Sequence, residues 1–489
     1  MITIIHKIKD WSYLLAICCV GTSCSLDIPY ENQFSDPDAV TTPAAARELL
    51  ASAYSELPTP EFNLSVLGDD FEPTYLIARN SSLSNLYKWQ PQPLEDISLS
   101  MWQEYYATVA IANAVLERID NVSITSDKER QEIRCIVSEA KLLKAYCYFN
   151  LLRLFAPAYA DGPEKDGIIL KDEFKLGFLK RSSIGECVTA IRNLLTEAVE
   201  VENNPAQEYW LSQYSGYYLL AELELYAGNY EQAEEYAQKV IDIKGGYDVL
   251  TTAGYSKLFG NEVCDERIFS VYTSGSYYTD MNYDRDKGDF FTLNTSLVRL
   301  YSEGDIRYDE TVYWFAMSGE TVGEITSSPY LGKYNKMNWE KKETRYINKF
   351  RVAGACFILA EAYCRDGKAH DVQAVKVMNE YLARRGATLL DENLSGEVLL
   401  KTVLTEKWKE YAGEGERYFD LKRCRKEILS DWNVSGSMDG RRIQKDDYRW
   451  TFPIPRGEYL YNENVSQNEG WTKICLLYTS PSPRDVEES

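Results

Sequence analysis

The chain has 489 residues, 45% of them hydrophobic and 26% charged, which supplies ample core material and excludes a wholly disordered or collagen-like polymer. At roughly 150 residues per domain, that length fits about three units or one large domain. Lys plus Arg number 53 and Asp plus Glu 75, a net charge of −22, which argues against general nucleic-acid binding because such a surface repels phosphate backbones. Two histidines, His6 and His370, leave little room for His-based metal sites, and neither metal nor cofactor is expected. Tyrosine is abundant, at 37 against 16 Phe and 10 Trp. A flat apolar ring with a polar tip suits wet, sugar-like or peptide-like ligands, and it suits a helical core equally.

Residues 1–23 read as a secretory signal. Lys7 and Lys9 precede an apolar run over 11–20, too short to cross a bilayer core of about 30 Å as a helix, and small residues Gly21, Thr22 and Ser23 follow. Cys24 directly after them resembles a bacterial lipoprotein box, which implies that Cys24 is lipidated and becomes the mature N-terminus; an ordinary signal with an incidental Cys is the alternative. The polar, acidic stretch 24–43 reads as a tether. No later segment approaches the ~18 consecutive apolar residues of a spanning helix. The cysteines beyond Cys24 are scattered without a C-x-x-C pair, and residues such as Cys147 and Cys356 read as small buried hydrophobes.

From there to residue 471 the chain reads as a single domain in which helical periodicity dominates. Tyr105, Val109, Ala112, Leu116 and Ile119 mark one helix. Ile133, Val137, Ala140, Lys144, Cys147, Leu151 and Leu154 mark a second, which ends before Pro157. Ser183 and Glu186 form a capping box that opens a third. Over 213–244, two helices flank the turn Gly228-Asn229, and Tyr230, Ala233, Ala237, Val240 and Ile241 share one face. That pattern resembles a tetratricopeptide hairpin, with a looser copy over 351–386 around Arg365-Asp366-Gly367. The expected fold is mainly α, with stacked tetratricopeptide-like helix hairpins forming an α-α superhelical scaffold.

Two stretches, about 67–96 and 270–342, lack that periodicity and are expected to be long irregular loops with short β-hairpins carrying the ligand site. They combine rings with polar groups, as sugar recognition requires: C–H faces pack on rings, while carboxylates, amides and guanidinium groups take the hydroxyls. The candidate ligand residues are Trp89, Trp339, Trp314, Tyr87, Tyr75, Asp70, Arg79, Asn80, Tyr283 and Tyr278, with Trp89 the first choice. Nothing comparable points to catalysis. His370 reads as a surface turn residue, no G-x-S-x-G elbow, P-loop or H-E-x-x-H occurs, and 284–289 reads as a solvated turn rather than a calcium loop. Within 414–423, Arg417 and Asp420 are expected to pair locally and fix how that helix leaves the core.

Three segments then occur together in order. Glu414, Gly415, Arg417, Tyr418, Asp420, Leu421 and Arg423 form one; Asp305 and Arg307 another; Pro453, Ile454, Pro455, Gln467, Asn468 and Gly470 the third. With Cys24 and Ala53-Tyr54, they resemble the SusD/RagB family of outer-membrane nutrient-binding lipoproteins of Bacteroidota, and the resemblance covers the chain from 24 to 471. It implies a lipid-anchored protein on the extracellular side of the outer membrane that binds oligosaccharide without catalysis and delivers it to a SusC-like TonB-dependent transporter. The RagB branch leaves peptide cargo open, and a secreted glycosidase using two carboxylates is a further alternative. The tail 472–489 resembles translated sequencing adapter and is set apart from this reading.

Overall fold

The computed structural model describes residues 40–175, 177–272, 290–318, 325–335, 346–367, 369–430 and 441–472. Helix α1 (Pro43–Ser55) opens with Thr42 Oγ1 accepting from the Ala45 N–H at 3.2 Å. Then come α2 (Glu61–Leu67), β1 (Phe71–Pro73), a 3-10 turn (Tyr75–Arg79) and α3 (Ser81–Tyr87). The long helices α4 (Pro91–Arg118) and α5 (Asp127–Phe155) pack on each other. Helix α6 (Ile184–Val199) starts at the expected Ser183–Glu186 capping box. The hairpin α7 (Gln213–Ala227) and α8 (Tyr230–Ile243) turns at Gly228, whose φ of 79° a side chain resists.

The middle of the chain is irregular: α9 (Thr252–Leu258), β2 (Arg267–Tyr272), β3 (Phe291–Leu293), α10 (Thr295–Val298), α11 (Ile306–Thr311), β4 (Val312–Ser318), β5 (Ile325–Leu331) and β6 (Tyr346–Arg351). A second hairpin follows, α12 (Val352–Arg365) and α13 (Asp371–Arg384), then α14 (Gly396–Tyr411), α15 (Glu416–Arg423), β7 (Ile428–Ser430), β8 (Arg441–Ile443) and α16 (Arg456–Leu460).

Each helix packs on the next along the succession α4, α5, α6, α7, α8, α12, and α12 also carries α13 and α14. This is the mainly α, stacked-hairpin scaffold that the periodicity implied. Its seam is apolar and closely spaced: Leu143, Cys147 and Leu151 on α5, Ala233 and Ala237 on α8, and Ala355, Cys356 and Leu359 on α12 are all fully buried. Gly354 leaves room for the hydroxyls of Tyr218 and Tyr411, which a Cβ would strike. Among the described residues, the strands form two-stranded antiparallel ribbons only: β1–β3, β2–β6, β4–β5 and β7–β8.

The stretch 67–96 is not the irregular loop expected. It holds the end of α2, β1, the 3-10 turn, α3 and the first turns of α4. The residues that suggested a loop serve helix ends instead. Asn80 Oδ1 caps α3 by accepting from the Leu83 N–H at 3.1 Å, and Pro91 stands at the first position of α4, where a missing N–H costs nothing.

A buried chain of charges joins the irregular middle to the helices. Glu414 accepts from Lys333 at 2.8 Å and from Arg351 at 2.8 and 3.0 Å, and all three side chains are nearly or wholly buried. Arg351 also reaches Glu410 at 3.2 Å, and Glu410 meets the Tyr381 hydroxyl and, at 3.6 Å, Arg385. Arg385 binds Glu266 at 2.6 Å. Arg307 donates to Tyr381 at 3.2 Å, grips Asp305 at 2.8 and 2.6 Å, and binds Glu406 at 2.7 Å. Removing one member strands the others in low dielectric, so Glu414→Ala should cost about 3–5 kcal/mol. Urea unfolding followed by circular dichroism should show the midpoint falling with little change in slope.

Candidate ligand-binding site

Ring-bearing side chains range from wholly buried to about half exposed or more. Trp89 is wholly buried. Its indole donates to the Leu67 carbonyl at 3.1 Å and its ring lies 4.6 Å from Trp450 and 6.0 Å from Tyr418, and its backbone φ is 54°. The first-choice ligand residue is thus a core residue, a correction that follows from Trp450, Tyr418 and the Leu67 carbonyl enclosing its indole. Tyr87 is also buried, with Arg441 4.1 Å over its ring and its hydroxyl donating to Ser430 at 3.2 Å. Asp70 is buried as well, accepting from the Trp408 indole at 2.8 Å and the Gly413 N–H at 3.1 Å. None of these three presents a group to a surface ligand.

The remaining candidates scatter. Arg79 is exposed at the end of the 3-10 turn, Asn80 is occupied as the cap of α3, and Tyr75 begins the same turn. Trp314 is 46% exposed on β4, its indole donating to the Tyr308 hydroxyl at 2.6 Å. Tyr278, Tyr283, Trp339 and Cys24 lie outside the described residues, as does the 284–289 turn.

The structure brings together a ring cluster that the sequence reading missed. Tyr272 and Tyr346 are a cross-strand pair at the end of the β2–β6 ribbon, with ring centroids 5.8 Å apart. Tyr209, from the connection between α6 and α7, lies over both, 5.5 Å from Tyr272 and nearly parallel to Tyr346 at 6.3 Å and 16°. Trp210 continues the row 5.5 Å from Tyr209. Tyr272 is 49% exposed, and Tyr209, Trp210 and Tyr346 are half-buried, so the row has a wet side. In sequence, the segments 273–289 and 336–345, which include Tyr278, Tyr283 and Trp339, adjoin Tyr272 and Tyr346. The one signal in the sequence was Glu-Tyr-Trp at 208–210, in a stretch rich in Asn and Pro between two helices.

Charged groups hold the row from beneath. Buried Arg267 lies 5.2 Å under Tyr346 and donates to Asn348 at 2.9 Å and Glu208 at 2.7 Å. Arg47 lies 5.8 Å from the Trp210 ring and is held by Glu139 at 2.5 Å, which also accepts from Tyr54 at 2.6 Å. Burial pushes the Glu139 carboxyl upward, and Arg47 opposes that shift. Arg47 remains partly exposed, so rings and a guanidinium share one surface.

The shared motif residues serve the scaffold. Arg417 pairs with Asp69 at 2.6 and 2.9 Å while stacking 4.2 Å over Trp408, not with Asp420 as expected. Asp420 is taken by Lys407 and Arg423, and against the upward push of burial the two hold its carboxyl far below the usual range. Gln467 clamps Ile454 through both backbone groups, at 2.8 and 2.9 Å.

Stacked helix hairpins that seat a row of aromatic rings at a strand-ribbon end define a class: a helical-repeat scaffold with an aromatic face at the edge of its irregular part. The chain belongs to the SusD/RagB family. A family model described as starch-binding and associating with the outer membrane matches residues 27–218, and the SusD family model matches 270–471. SusD-like protein P2 of Formosa agariphila is 23% identical over 76% of this chain and 79% of its own. A SusD-like carbohydrate-binding protein of Bacteroides vulgatus superposes with a TM-score of 0.73 at 18% identity, covering 87% of this chain and 97% of its own. Surface glycan-binding protein A of Bacteroides uniformis superposes at 0.69 and 20% identity, covering 87% and 99%. No helix among the described residues is long and apolar enough to cross a membrane.

Two outcomes follow from the buried candidates. Trp89→Ala should lower stability by about 3–5 kcal/mol, as large-to-small changes of a buried Trp do, seen as a drop in the urea midpoint. Asp70 is pushed up to about 6 from 3.8, first by burial and then by Asp69. A value raised on folding means that its contribution is fully present below about pH 4 and lost as pH rises through about 6, a change of roughly 2–3 kcal/mol. Asp70→Asn carries no such titration. The stability difference between wild type and this variant should therefore shift against wild type between pH 4 and 7, whatever constant offset the altered Gly413 contact adds.

Proposed function

We propose that the protein is a non-catalytic, cell-surface binder of oligosaccharide that hands its cargo to a TonB-dependent outer-membrane transporter. The observation that carries this reading is the half-exposed row Tyr209, Trp210, Tyr272 and Tyr346. Apolar C–H faces of a pyranose stack on such rings, and Arg47 beside Trp210 offers a donor to hydroxyls. Neighbouring helices and the buried charges beneath fix the row, so little entropy is lost on binding. Lipidation at Cys24 would hold the protein on the outer face of the membrane, and the helical side away from the rings is left for the transporter.

The test begins with a glycan array on the chain from residue 24 onward, followed by calorimetric titration of the best oligosaccharide. Tyr272→Ala with Tyr346→Ala should weaken binding at least tenfold, about 1.4 kcal/mol, without altering the circular dichroism spectrum. Trp314→Ala reports whether that exposed ring belongs to the same surface. Binding of peptides in place of glycans would replace sugar by peptide cargo. New reducing ends lost on changing a single carboxylate would replace the binder by a glycosidase.

A further inference from the structure

We propose that Glu234, Asp366 and His370 form a site for one divalent transition-metal ion, with Zn2+ the best match, that staples one helix hairpin to the next. This inference is independent of the cargo. Among the described residues, these three place one ligand atom each within 4.8 Å of the other two. They come from three elements: Glu234 from the first turns of α8, Asp366 from the C-terminal cap of α12, and His370 from the residue preceding α13. Helices α8 and α12 pack along each other, which brings Glu234 level with the α12–α13 turn.

The local geometry suits ligands of a shared ion. His370 Nδ1 lies 2.7 Å from Asp366 Oδ2, yet the nitrogen is buried and makes no hydrogen bond. Tyr363 meets the imidazole edge to face, 5.4 Å away at 89°, and sets its plane. The Asp366 side chain is 3% exposed and that of His370 30%, so the position is sheltered but reachable from solvent.

Charge points the same way. Asp366 sits at a helix C-terminus, where the last carbonyls already carry partial negative charge, and Glu234 adds a second carboxylate. A bound dication offsets all of these at once. One imidazole and two carboxylates form a nitrogen–oxygen set typical of Zn2+, with bonds of about 2.0–2.2 Å and a fourth position left for water. Ligand atoms sharing such an ion stand about 3–3.5 Å apart. The present spacings, from 2.7 Å to at most 4.8 Å, bracket that range, so side-chain rotation closes the site. Ca2+ and Mg2+ prefer oxygen and gain nothing from His370.

The experiment uses the full chain stripped with EDTA and titrated calorimetrically with Zn2+, and separately with Ca2+. One equivalent of Zn2+ should bind and raise the melting temperature, because an ion that binds only the folded state stabilises it by mass action. Ca2+ should do neither. His370→Gln and Glu234→Gln should each weaken Zn2+ binding at least about tenfold and remove the melting shift, while melting like wild type without metal. Cysteines such as Cys364 and Cys424 offer competing thiolates, so Co2+ loading supplies a second readout. The tight site should show ligand-field bands without a thiolate charge-transfer band. The proposal fails if wild type binds no stoichiometric Zn2+, if His370→Gln binds as tightly as wild type, or if the tight site shows the thiolate band.

Discussion

The constraint on which the rest of the structure depends is the neutralisation of charge inside the helical scaffold. Glu410 and Glu414 project from the end of α14 and the turn after it into a space also entered by Arg351, Lys333 and Arg385. None of these groups is tolerable there alone, since an unpaired buried charge costs several kcal/mol. Together they oblige β6, the segment after β5 and the end of α13 to dock in one arrangement. Lys333 shows how this works: its ammonium donates to the Glu410 carbonyl at 2.6 Å as well as to Glu414, so the chain leaving the β4–β5 ribbon is tied to α14 by both backbone and side chain. Burial lowers the Lys333 ammonium below its ordinary range, although Glu414 opposes that. Apolar packing can slide by a methylene at small cost, whereas a charge-for-charge match cannot.

That division explains why the shared motif residues lie away from the ring row. Asp305 and Arg307 belong to the buried charges, Arg417 anchors the segment before β1, and Gln467 and Asn468 hold the chain around Pro453 and Pro455 against α5 through the Ile454 backbone and the Phe155 carbonyl. Each fixes where an irregular segment is attached. What an irregular segment offers to solvent beyond its attachment is then free to vary, because it carries no burden of stability.

Much of the scaffold was legible in the sequence because its signals are local. The three-to-four-residue spacing of Val109, Ala112 and Leu116, the Ser183–Glu186 box and Gly228 each depend on neighbours within a turn or two, and each produced the element expected. The segment 67–96 was misread because Pro, Asn and Ser serve caps and first turns as readily as loops, and only the surroundings decide between them. The partner of Arg417 was misread for a related reason. A residue three positions away is the nearest carboxylate in sequence, but Lys407 and Arg423 had already claimed Asp420, leaving Arg417 to reach Asp69 across the fold.

The ring residues were the least legible part, and the reason is physical. A Tyr or Trp satisfies a core and a ligand surface through the same properties: large apolar area, few rotatable bonds and one polar tip. Trp89 in a Pro- and Asn-rich context and Tyr346 in a strand look alike as letters. The difference arises only when the Trp89 indole finds the Leu67 carbonyl inside the fold, while Tyr346 lies at the end of the β2–β6 ribbon and stays half-buried. Exposure of such a ring has a cost that a stable fold would normally remove by closing over it. Here Tyr272 and Tyr346 are fixed by their cross-strand pairing, and Arg267 packs against the Tyr346 ring, so the partial exposure of both rings comes from the architecture.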